Sequence, residues 1–278
     1  MSTSVVMVTY NSYPLTRRLV EPLAGGVGTE AEEIIIVDSA SPDGTGEKLK
    51  ADFPLIHYLP MPENRGYGAA VNAGAAQARG EWLLVLNGDV EIQPVQVNRL
   101  ETLAEANGAD LLAPLQETPE GEPIPTVRGF PTPWNILFAR RSPLGKLLGN
   151  KGGYLRPLPV KTEPVGGAVG GACFLVKKES FQKIGGFDPN FFLFAEDTDF
   201  CKRLSAVGGR IYFTPEVKVR HFWGFSTGPA FLKTLRYQQD SLLYYFKKHF
   251  PGRRVSRTLL VFLFFLQRGF YRLVRLKK

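Results

Sequence analysis

Residues 4–38 read SVVMVTYNSYPLTRRLVEPLAGGVGTEAEEIIIVD, and this stretch decides the fold class. Ser4–Thr9 and Glu33–Asp38 are short runs rich in Val and Ile that end in polar turns, as buried strands do. Between them, Leu15–Leu23 has the apolar spacing of a helix, entered through Pro14. Strand, helix and strand in this order predict a β-α-β unit with parallel strands.

The same alternation continues on the C-terminal side of this unit. An Ala-rich helix at Ala69–Ala78 leads into an apolar strand at Trp82–Leu86, and a helix near Val95–Glu105 follows. Pro114–Tyr154 is rich in Pro and Gly, so we expect a long loop there, with a short helix at Trp134–Arg140. The other predicted elements are strands at Ala172–Val176 and Arg210–Thr214 and helices at Glu179–Ile184, Asp199–Ser205 and Phe231–Phe250. The fold class is therefore α/β, with a Rossmann-like, mostly parallel central sheet flanked by helices.

Composition and charge divide the 278 residues into a main domain and a tail. With 44% hydrophobic and 22% charged residues, the chain has ample apolar material for a core. We expect residues 1–230 to form one domain with two halves, residues 1–106 and residues 107–230. Much of the excess behind the formal net charge of +8 lies in residues 231–278, predicted to be a helical, basic, amphipathic tail.

The tail combines arginines with an apolar run at Thr258–Leu266. This run is far shorter than the roughly 20 residues that cross a bilayer as a helix. Binding to nucleic acid would not bury such an apolar face, whereas binding to an anionic membrane surface would, so the membrane surface is the expected partner. A core helix that covers the main domain is the other interpretation.

The N-terminus and the cysteines bear on the compartment. Met1–Tyr10 lacks the basic region and the cleavage site of a signal peptide, so we expect a cytoplasmic protein, peripheral on the inner face of the plasma membrane. Cys173 and Cys201 have no metal-ligand spacing and are predicted to be packed thiols.

Polar residues follow three of the predicted strands. The first strand ends in Thr9-Tyr10-Asn11-Ser12, the second in Asp38-Ser39-Ala40-Ser41, and the strand from Trp82 in Asn87-Gly88-Asp89. Ligands bind beyond the carboxyl ends of the strands in an open α/β sheet, so we expect these residues to open on one cleft. Asp38 suits hydrogen bonds from a base or a ribose, or else caps a turn, whereas Asp43 belongs to an ordinary turn.

A glycine-containing loop, Glu63–Asn72, precedes the Ala-rich helix. Its glycines allow backbone N–H groups to approach a phosphate or a base closely. The candidates in this loop for contact with such a ligand are Asn64, Arg65, Gly66 and Asn72. Tight packing on the sheet also explains the small residues of the helix.

Two segments are candidates for a metal site. Asn87-Gly88-Asp89 supplies oxygen ligands two positions apart, which suits Mg²⁺ or Mn²⁺ holding a diphosphate, although an Asn-Gly turn without a ligand has the same sequence. His221, close to Arg220, Trp223 and Ser226, is either a structural histidine or a ligand for a metal or phosphate.

Acidic residues gather at a predicted helix start within Phe194–Phe200. Glu196 and Asp197 are candidates for a general base, which must have access to an acceptor hydroxyl. Capping and the helix dipole are the alternative explanation for Thr198 and Asp199.

Taken together, these segments resemble the family 2 glycosyltransferases of GT-A fold, particularly their bacterial rhamnosyltransferase-like branch. The resemblance spans roughly residues 4–228. Six strings carry it in this order: Val5-Val6-Met7-Val8-Thr9-Tyr10-Asn11, Ile35-Ile36-Val37-Asp38-Ser39-Ala40-Ser41, Asn64-Arg65-Gly66-Tyr67-Gly68, Leu86-Asn87-Gly88-Asp89, Gly170-Gly171-Ala172-Cys173-Phe174-Leu175, and Gly185-Gly186-Phe187-Asp188 through Phe194-Ala195-Glu196-Asp197-Thr198-Asp199.

The resemblance implies an inverting, metal-assisted transfer of a sugar, with dTDP-rhamnose as donor and a saccharide or lipid-linked saccharide as acceptor in cell-surface polysaccharide synthesis. It assigns Thr9, Asn11 and Asp38 to the nucleoside, Asn64 and Asn72 to the donor cleft, Asp89 and His221 to the metal, and Asp197 to the catalytic base. One departure is Asn87, where the family often has Asp, so the cation has one negative charge fewer beside it.

Two other functions share these features. A sugar nucleotidyltransferase also has such a sheet and a metal-bound nucleotide, but no glycine loop rich in Lys or Arg for a triphosphate follows the first strand. A non-catalytic module that binds nucleotides or saccharides is the other alternative.

Overall fold

The computed structural model describes residues 2–25, 31–137, 155–222 and 231–275. Its strands are β1 (Thr3–Thr9), β2 (Ala31–Asp38), β3 (His57–Pro60), β4 (Trp82–Asn87), β5 (Val90–Glu91), β6 (Leu111–Glu117), β7 (Glu163–Pro164), β8 (Cys173–Lys177) and β9 (Ile211–His221). Its helices are α1 (Tyr13–Ala24), α2 (Thr45–Asp52), α3 (Tyr67–Gln77), α4 (Pro94–Ala106), α5 (Pro133–Leu137), α6 (Lys178–Lys183), α7 (Glu196–Ala206), α8 (Phe231–His249) and α9 (Arg254–Arg275). The predicted short helix at Trp134–Arg140 corresponds to α5 as far as Leu137, and its last three residues lie outside the described residues.

The nine strands of the described ranges join one sheet, in the order β3-β2-β1-β4-β8-β6-β9-β5, with β7 paired to β9. In the N-terminal half, β1 runs parallel to β2 and β4, and β2 runs parallel to β3. Beyond β4 the sheet is mixed, because β8 runs antiparallel to both β4 and β6 whereas β6 and β9 are parallel. The α/β prediction is confirmed, and the parallel pairing that the sequence indicated holds mainly in the N-terminal half.

Strand β6 is a central strand that the sequence pattern did not predict. Its proline, Pro114, cannot donate a ladder hydrogen bond and is typical of loops or strand edges. Here the register between β6 and β9 shifts between Pro114 and Leu115, so the proline lies at an irregularity where a donor is not needed. Within the described residues, the Pro-rich segment therefore starts with a strand that ends at Glu117 and continues as loop as far as α5.

The core lies on both faces of the sheet. Val5 and Met7 of β1 are buried in a cluster with Val20 of α1, and Val6 faces the opposite side with residues of α3. Helix α3 lies very close to the sheet, since a Cβ on Gly74 would come within 2.5 Å of a Val6 methyl carbon. Small residues in α3 are thus explained by packing.

Helices α8 and α9 form a pair that packs on the main domain. Tyr245 and Phe246 of α8 and Leu260 of α9 are buried in one cluster with Phe191 and Ala195, which precede α7. The boundary predicted at residue 230 is therefore crossed by a shared core. Packing on the domain, one of the two interpretations of the tail, describes α8 and the inner face of α9.

The thiols and the helices agree with the sequence expectations. Cys173 and Cys201 are free and buried, as predicted, and burial raises the pKa of the Cys201 thiol to about 12. Within the described ranges, no helix combines the length and the apolar character that crossing a membrane requires.

Candidate active site

Hydrogen bonds tie together the carboxyl ends of β1, β2 and β4. The Ser39 N–H donates to the Thr9 carbonyl at 3.0 Å, and the Gly88 N–H donates to the Val8 carbonyl at 2.9 Å. The Thr16 hydroxyl in the first turn of α1 donates to the Gly88 carbonyl at 3.0 Å and lies 3.2 Å from the Thr9 hydroxyl. The three strand ends thus meet at one edge, and Thr9 belongs to a buried hydroxyl network that holds them together.

The turns after β1 and β2 contact each other through Ser41. The Asn11 N–H donates to the Ser41 hydroxyl at 3.0 Å, and Asn11 itself is exposed, with a φ of 49°. The buried Asp38 carboxylate accepts the Ser41 hydroxyl, and burial raises the pKa of Asp38. Asp43 accepts the Thr45 N–H at 3.0 Å and stabilises the turn into α2, as predicted.

The turn before α3 requires a glycine. Asn64 Oδ1 accepts the Gly66 N–H at 3.0 Å, and Gly66 has a φ of 93°. A Cβ on Gly66 would lie 2.1 Å from the Phe192 carbonyl oxygen, which also accepts the Tyr67 N–H at 3.0 Å. The turn therefore lies directly against the segment that precedes α7, and the Arg65 side chain remains exposed.

Asn72 has a structural role that the sequence did not indicate. Its Nδ2 donates to the Phe187 carbonyl at 2.8 Å, and its Oδ1 accepts the Phe187 N–H at 2.8 Å. Because both ends of the amide are used on one backbone unit, Asn72 fixes the turn at Gly186 and Phe187. The expected contact of Asn72 with the donor stays a prediction beside this structural role.

Asp89 and His221 are brought together by the pairing of β5 with the end of β9. Val90 pairs with His221, and His221 Nε2 lies 3.4 Å from Asp89 Oδ1. On the other side of the ring, His221 Nδ1 lies 2.9 Å from Oε1 of the buried Gln116. A carbonyl oxygen only accepts, so Nδ1 is the donor in the contact with Gln116, and Nε2 is the ring nitrogen on the side of Asp89.

These donors fit a divalent cation. An imidazole nitrogen and a carboxylate oxygen are both ligands that such a cation accepts, and a hydrogen bond to the second ring nitrogen is usual for a metal-bound histidine. Across residues 2–25, 31–137, 155–222 and 231–275, no three side chains of His, Cys, Asp and Glu gather as a metal cluster. Two protein ligands suffice for Mg²⁺ or Mn²⁺ when a diphosphate supplies the remaining oxygens.

Asp197, in the first turn of α7, is held by donors from four directions. Arg128 Nη2 and the Gly171 N–H both donate to Oδ2, the latter at 2.9 Å, while the Thr198 N–H and hydroxyl donate to Oδ1. Arg128 also donates to the Val169 carbonyl at 3.1 Å. A Cβ on Gly171 would lie 2.9 Å from Asp197 Cβ, so glycine is needed for this approach. The carboxylate is thus fixed in one orientation.

Glu196 differs from its neighbour in its electrostatics. Burial, and then the charge of Asp197, raise the pKa of Glu196 to about 8. Its carboxyl group therefore ionises less readily than an ordinary glutamate. Within the described part of the chain, Glu196 Oε2 has no hydrogen-bond partner.

Tyr67 connects the two acidic regions. Its hydroxyl donates to the Gly171 carbonyl at 2.8 Å. The pKa of this phenol is raised first by burial and then by the negative charges of Glu196, Asp197 and Asp89. The carboxylates after β4 and those at the start of α7 therefore both oppose ionisation of this phenol.

Several buried polar atoms near these groups have no partner in the part of the chain that the structure describes. They are Asn87 Oδ1, Gln116 Nε2, Thr126 Oγ1 and Glu196 Oε2. Each unpaired buried atom costs about 1–3 kcal/mol. Their concentration here indicates a place where a polar ligand or water completes the hydrogen bonding.

Sequence reasoning did not identify Arg128, Gln116 or Tyr67. Arg128 is 69 positions from Asp197, and Gln116 is 105 positions from His221. No local pattern marks such contacts, because they depend on how β6 and the following loop fold back. Only Tyr67 lay within a quoted string.

Comparison with known proteins identifies the chain's relatives. The family model described as "Glycosyl transferase family 2" matches residues 4–185, and the model described as "N-terminal domain of galactosyltransferase" matches residues 162–225. The N-acetylglucosaminyl-diphospho-decaprenol L-rhamnosyltransferase of Mycobacterium tuberculosis is 31% identical over 240 residues, which are 81% of this chain and 77% of the relative.

Two solved structures have similar folds. One is GalNAc-T7 with UDP, GalNAc and Mn²⁺, with a TM-score of 0.61 and 20% identity, covering 80% of this chain and 44% of the other. Another is the mannosyltransferase PcManGT of Pyrobaculum calidifontis in complex with GDP-Man and Mn²⁺, with a TM-score of 0.60 and 18% identity, covering 88% of this chain and 63% of the other. The chain thus spans less than two thirds of either solved chain. With the fold, the ordered motifs and the matching family model in agreement, the protein belongs to glycosyl transferase family 2.

Proposed function

We propose that the protein transfers a sugar from a nucleoside diphosphate sugar to an acceptor hydroxyl, with inversion at the anomeric carbon. The supporting observation is that the Asn87 N–H, two residues before Asp89, donates to the Ala172 carbonyl at 2.9 Å, and the neighbouring Gly171 N–H donates to Asp197 Oδ2 at 2.9 Å. The turn that carries the proposed leaving-group site therefore lies next to the segment that holds the proposed base. Membership of family 2 supports the same chemistry.

On the donor side, we place the nucleoside beside Asn11 and Asp38 and the diphosphate at Asp89 and His221. The proposed donor site is completed by Asn64, Arg65, Gly66 and Asn87. Thr9 supports it through the buried hydroxyl network at the strand ends. A Mg²⁺ or Mn²⁺ ion bound there would neutralise the charge of the departing diphosphate. The unpaired Asn87 Oδ1 is an available oxygen for such an ion or for the donor.

On the acceptor side, Asp197 takes the proton of the attacking hydroxyl. The hydroxyl oxygen bonds to the anomeric carbon while the bond from that carbon to the diphosphate oxygen breaks, so one displacement inverts the configuration. Arg128 and Gly171 keep the carboxylate in its orientation. The raised pKa of Glu196 limits the negative charge beside the base.

For the substrates, we propose rhamnose from dTDP-rhamnose as the donor sugar and a saccharide or lipid-linked saccharide as the acceptor, in cell-surface polysaccharide synthesis. The mycobacterial relative, whose name specifies rhamnosyl transfer to a lipid-linked sugar, supports this choice. With a lipid-linked acceptor, the proposed site of reaction is the cytoplasmic face of a membrane.

Calorimetric titration with dTDP, UDP and GDP, each with and without Mn²⁺, tests the donor site. We expect metal-dependent binding of one diphosphate, weakened in Asp89→Asn and in His221→Ala. Asp240→Asn, which changes a half-exposed carboxylate on α8, is the matched control and should bind as the parent does. Binding of no diphosphate would favour a non-catalytic module.

A further inference from the structure

Helix α9 has two different faces. Ser256 and Leu260 are buried, and Leu263 packs against the cluster shared with α8. The other face is apolar but exposed, with relative exposures of 76% for Val255 and 72% for Phe265. Its exposed apolar residues are Val255, Leu259, Val261, Phe262, Phe265 and Leu266, which are six of the thirteen large hydrophobic residues exposed in the described part of the chain. We call these six residues the outer face of α9.

The charge around the outer face is strongly positive. Residues 231–278 contain 12 of the 34 Lys and Arg residues and one of the 26 Asp and Glu residues, which leaves 22 basic and 25 acidic residues in the rest of the chain. Arg253 and Arg254, at the start of α9, are exposed. A second copy of the chain would bring like charges together on this face, and nucleic acid has no use for its apolar side chains. An anionic lipid surface complements both properties.

We propose that the outer face of α9 lies in the plane of an anionic membrane surface, with its apolar side chains among the acyl chains and its arginines at the headgroups. The 22-residue helix is about 33 Å long, which offers an extended line of contact. The proposal rests on the proposed function only in that a lipid-linked acceptor would be presented at the same surface.

The membrane-facing helix is connected to the candidate catalytic segment through α8. Lys248 Nζ lies 2.7 Å from an Asp188 oxygen and 2.8 Å from an Asp199 oxygen, and His249 Nε2 lies 2.7 Å from Asp199 Oδ1. These contacts hold both ends of residues 188–199, the segment that includes Glu196 and Asp197. Helix α9 is fixed to α8 by an ion pair of Arg268 with Asp240, among other contacts. Docking of α9 therefore keeps the proposed base at a fixed place relative to the lipid surface.

Flotation of the full chain with vesicles tests this inference. We expect binding to phosphatidylcholine vesicles only when they contain phosphatidylglycerol, and weaker binding at high salt. The double variant Phe262→Ser/Phe265→Ser should bind at least about tenfold more weakly, because it removes apolar area that enters the lipid. Leu55→Ser/Val160→Ser, at two highly exposed positions elsewhere, is the matched control and should bind normally.

Two outcomes would overturn the inference: no binding to anionic vesicles, or equal binding of the double variant and the parent. If the parent binds no vesicles but self-associates, and the double variant does not self-associate, the outer face of α9 is instead a contact between copies of the chain. Unchanged thermal unfolding of the variants shows that they remain folded. Titration of the same preparation with nucleoside diphosphates is independent of lipid. Binding of a diphosphate without vesicle binding contradicts only the membrane inference, and the reverse contradicts only the proposed function.

Discussion

Replacing Asp199 with Asn tests whether the contacts between α8 and α7 stabilise the domain that contains the candidate active site. Asp199 is fully buried in α7 and accepts Arg203 Nε at 2.7 Å, Lys248 Nζ at 2.8 Å and His249 Nε2 at 2.7 Å. Burial opposes ionisation, but the hydrogen bonds from these three donors lower the pKa of Asp199 below its usual value. Asn keeps the shape of the side chain and removes the charge, so the partly buried cations Arg203 and Lys248 lose a buried counter-charge.

Removing one partner of a buried ion pair costs about 3–5 kcal/mol. At an unfolding entropy of about 2.1 cal/mol/K per residue, this lowers the Tm of the 278-residue chain by about 5–9 °C. Scanning calorimetry at neutral pH measures this loss against Asp240→Asn, a half-exposed carboxylate whose removal should cost less than about 1 kcal/mol.

The pH dependence gives a second check on Asp199. Because its folded pKa is depressed, its contribution is fully present above the unfolded value of about 3.9 and is lost as the pH falls through the folded pKa. The difference between parent and variant should therefore shrink on acidification. Equal Tm losses for the Asp199 and Asp240 variants would refute the reasoning.

Three other substitutions test the site. Arg128→Gln should lower kcat by about 10–100-fold with donor affinity unchanged, because Asp197 loses its orienting donor, and Arg128→Lys should recover part of the rate in the same assay. Glu196→Gln should gain stability over the parent by on the order of a few kcal/mol between pH 5 and pH 9 in urea unfolding, because the raised pKa of Glu196 makes the parent less stable as pH rises from about 4.5 to about 8. Gly66→Ala should cost at least about 3 kcal/mol in the same unfolding experiment, because the new Cβ would lie 2.1 Å from a carbonyl oxygen, whereas Gly166→Ala, with open space around it, should cost little.

The local hydrophobic pattern of the sequence was sufficient to predict much of the fold. The Val- and Ile-rich runs of β1 and β2 and the amphipathic spacing of α1 are strong local signals, and the structure places these elements within one or two residues of the expected bounds. Strand β6 was missed because Pro114 marks a loop in most sequences, and only its neighbours β8 and β9 show that the proline falls at a register shift.

The sequence predicted the site residues that lie in local motifs, but not the contacts that hold them in place. The ordered strings indicated Asp89 and Asp197, and the family resemblance indicated His221. The structure shows which side chains contact each of them. The role of Asn72 in fixing Phe187, and that of Arg128 in holding Asp197, depend on contacts between distant segments. The integration of α8 was missed for the same reason, since its ion pairs with the acidic segment before and within α7 span 49 or more positions and follow no sequence period.

The most direct test of the proposed transfer is product analysis with the full chain, Mn²⁺, dTDP-rhamnose and a polyprenyl diphosphate-linked N-acetylglucosamine. We expect dTDP and the rhamnosylated acceptor in equal amounts, with both lost in Asp197→Asn although that variant still binds dTDP. Release of pyrophosphate, or undiminished transfer by Asp197→Asn, would contradict the account.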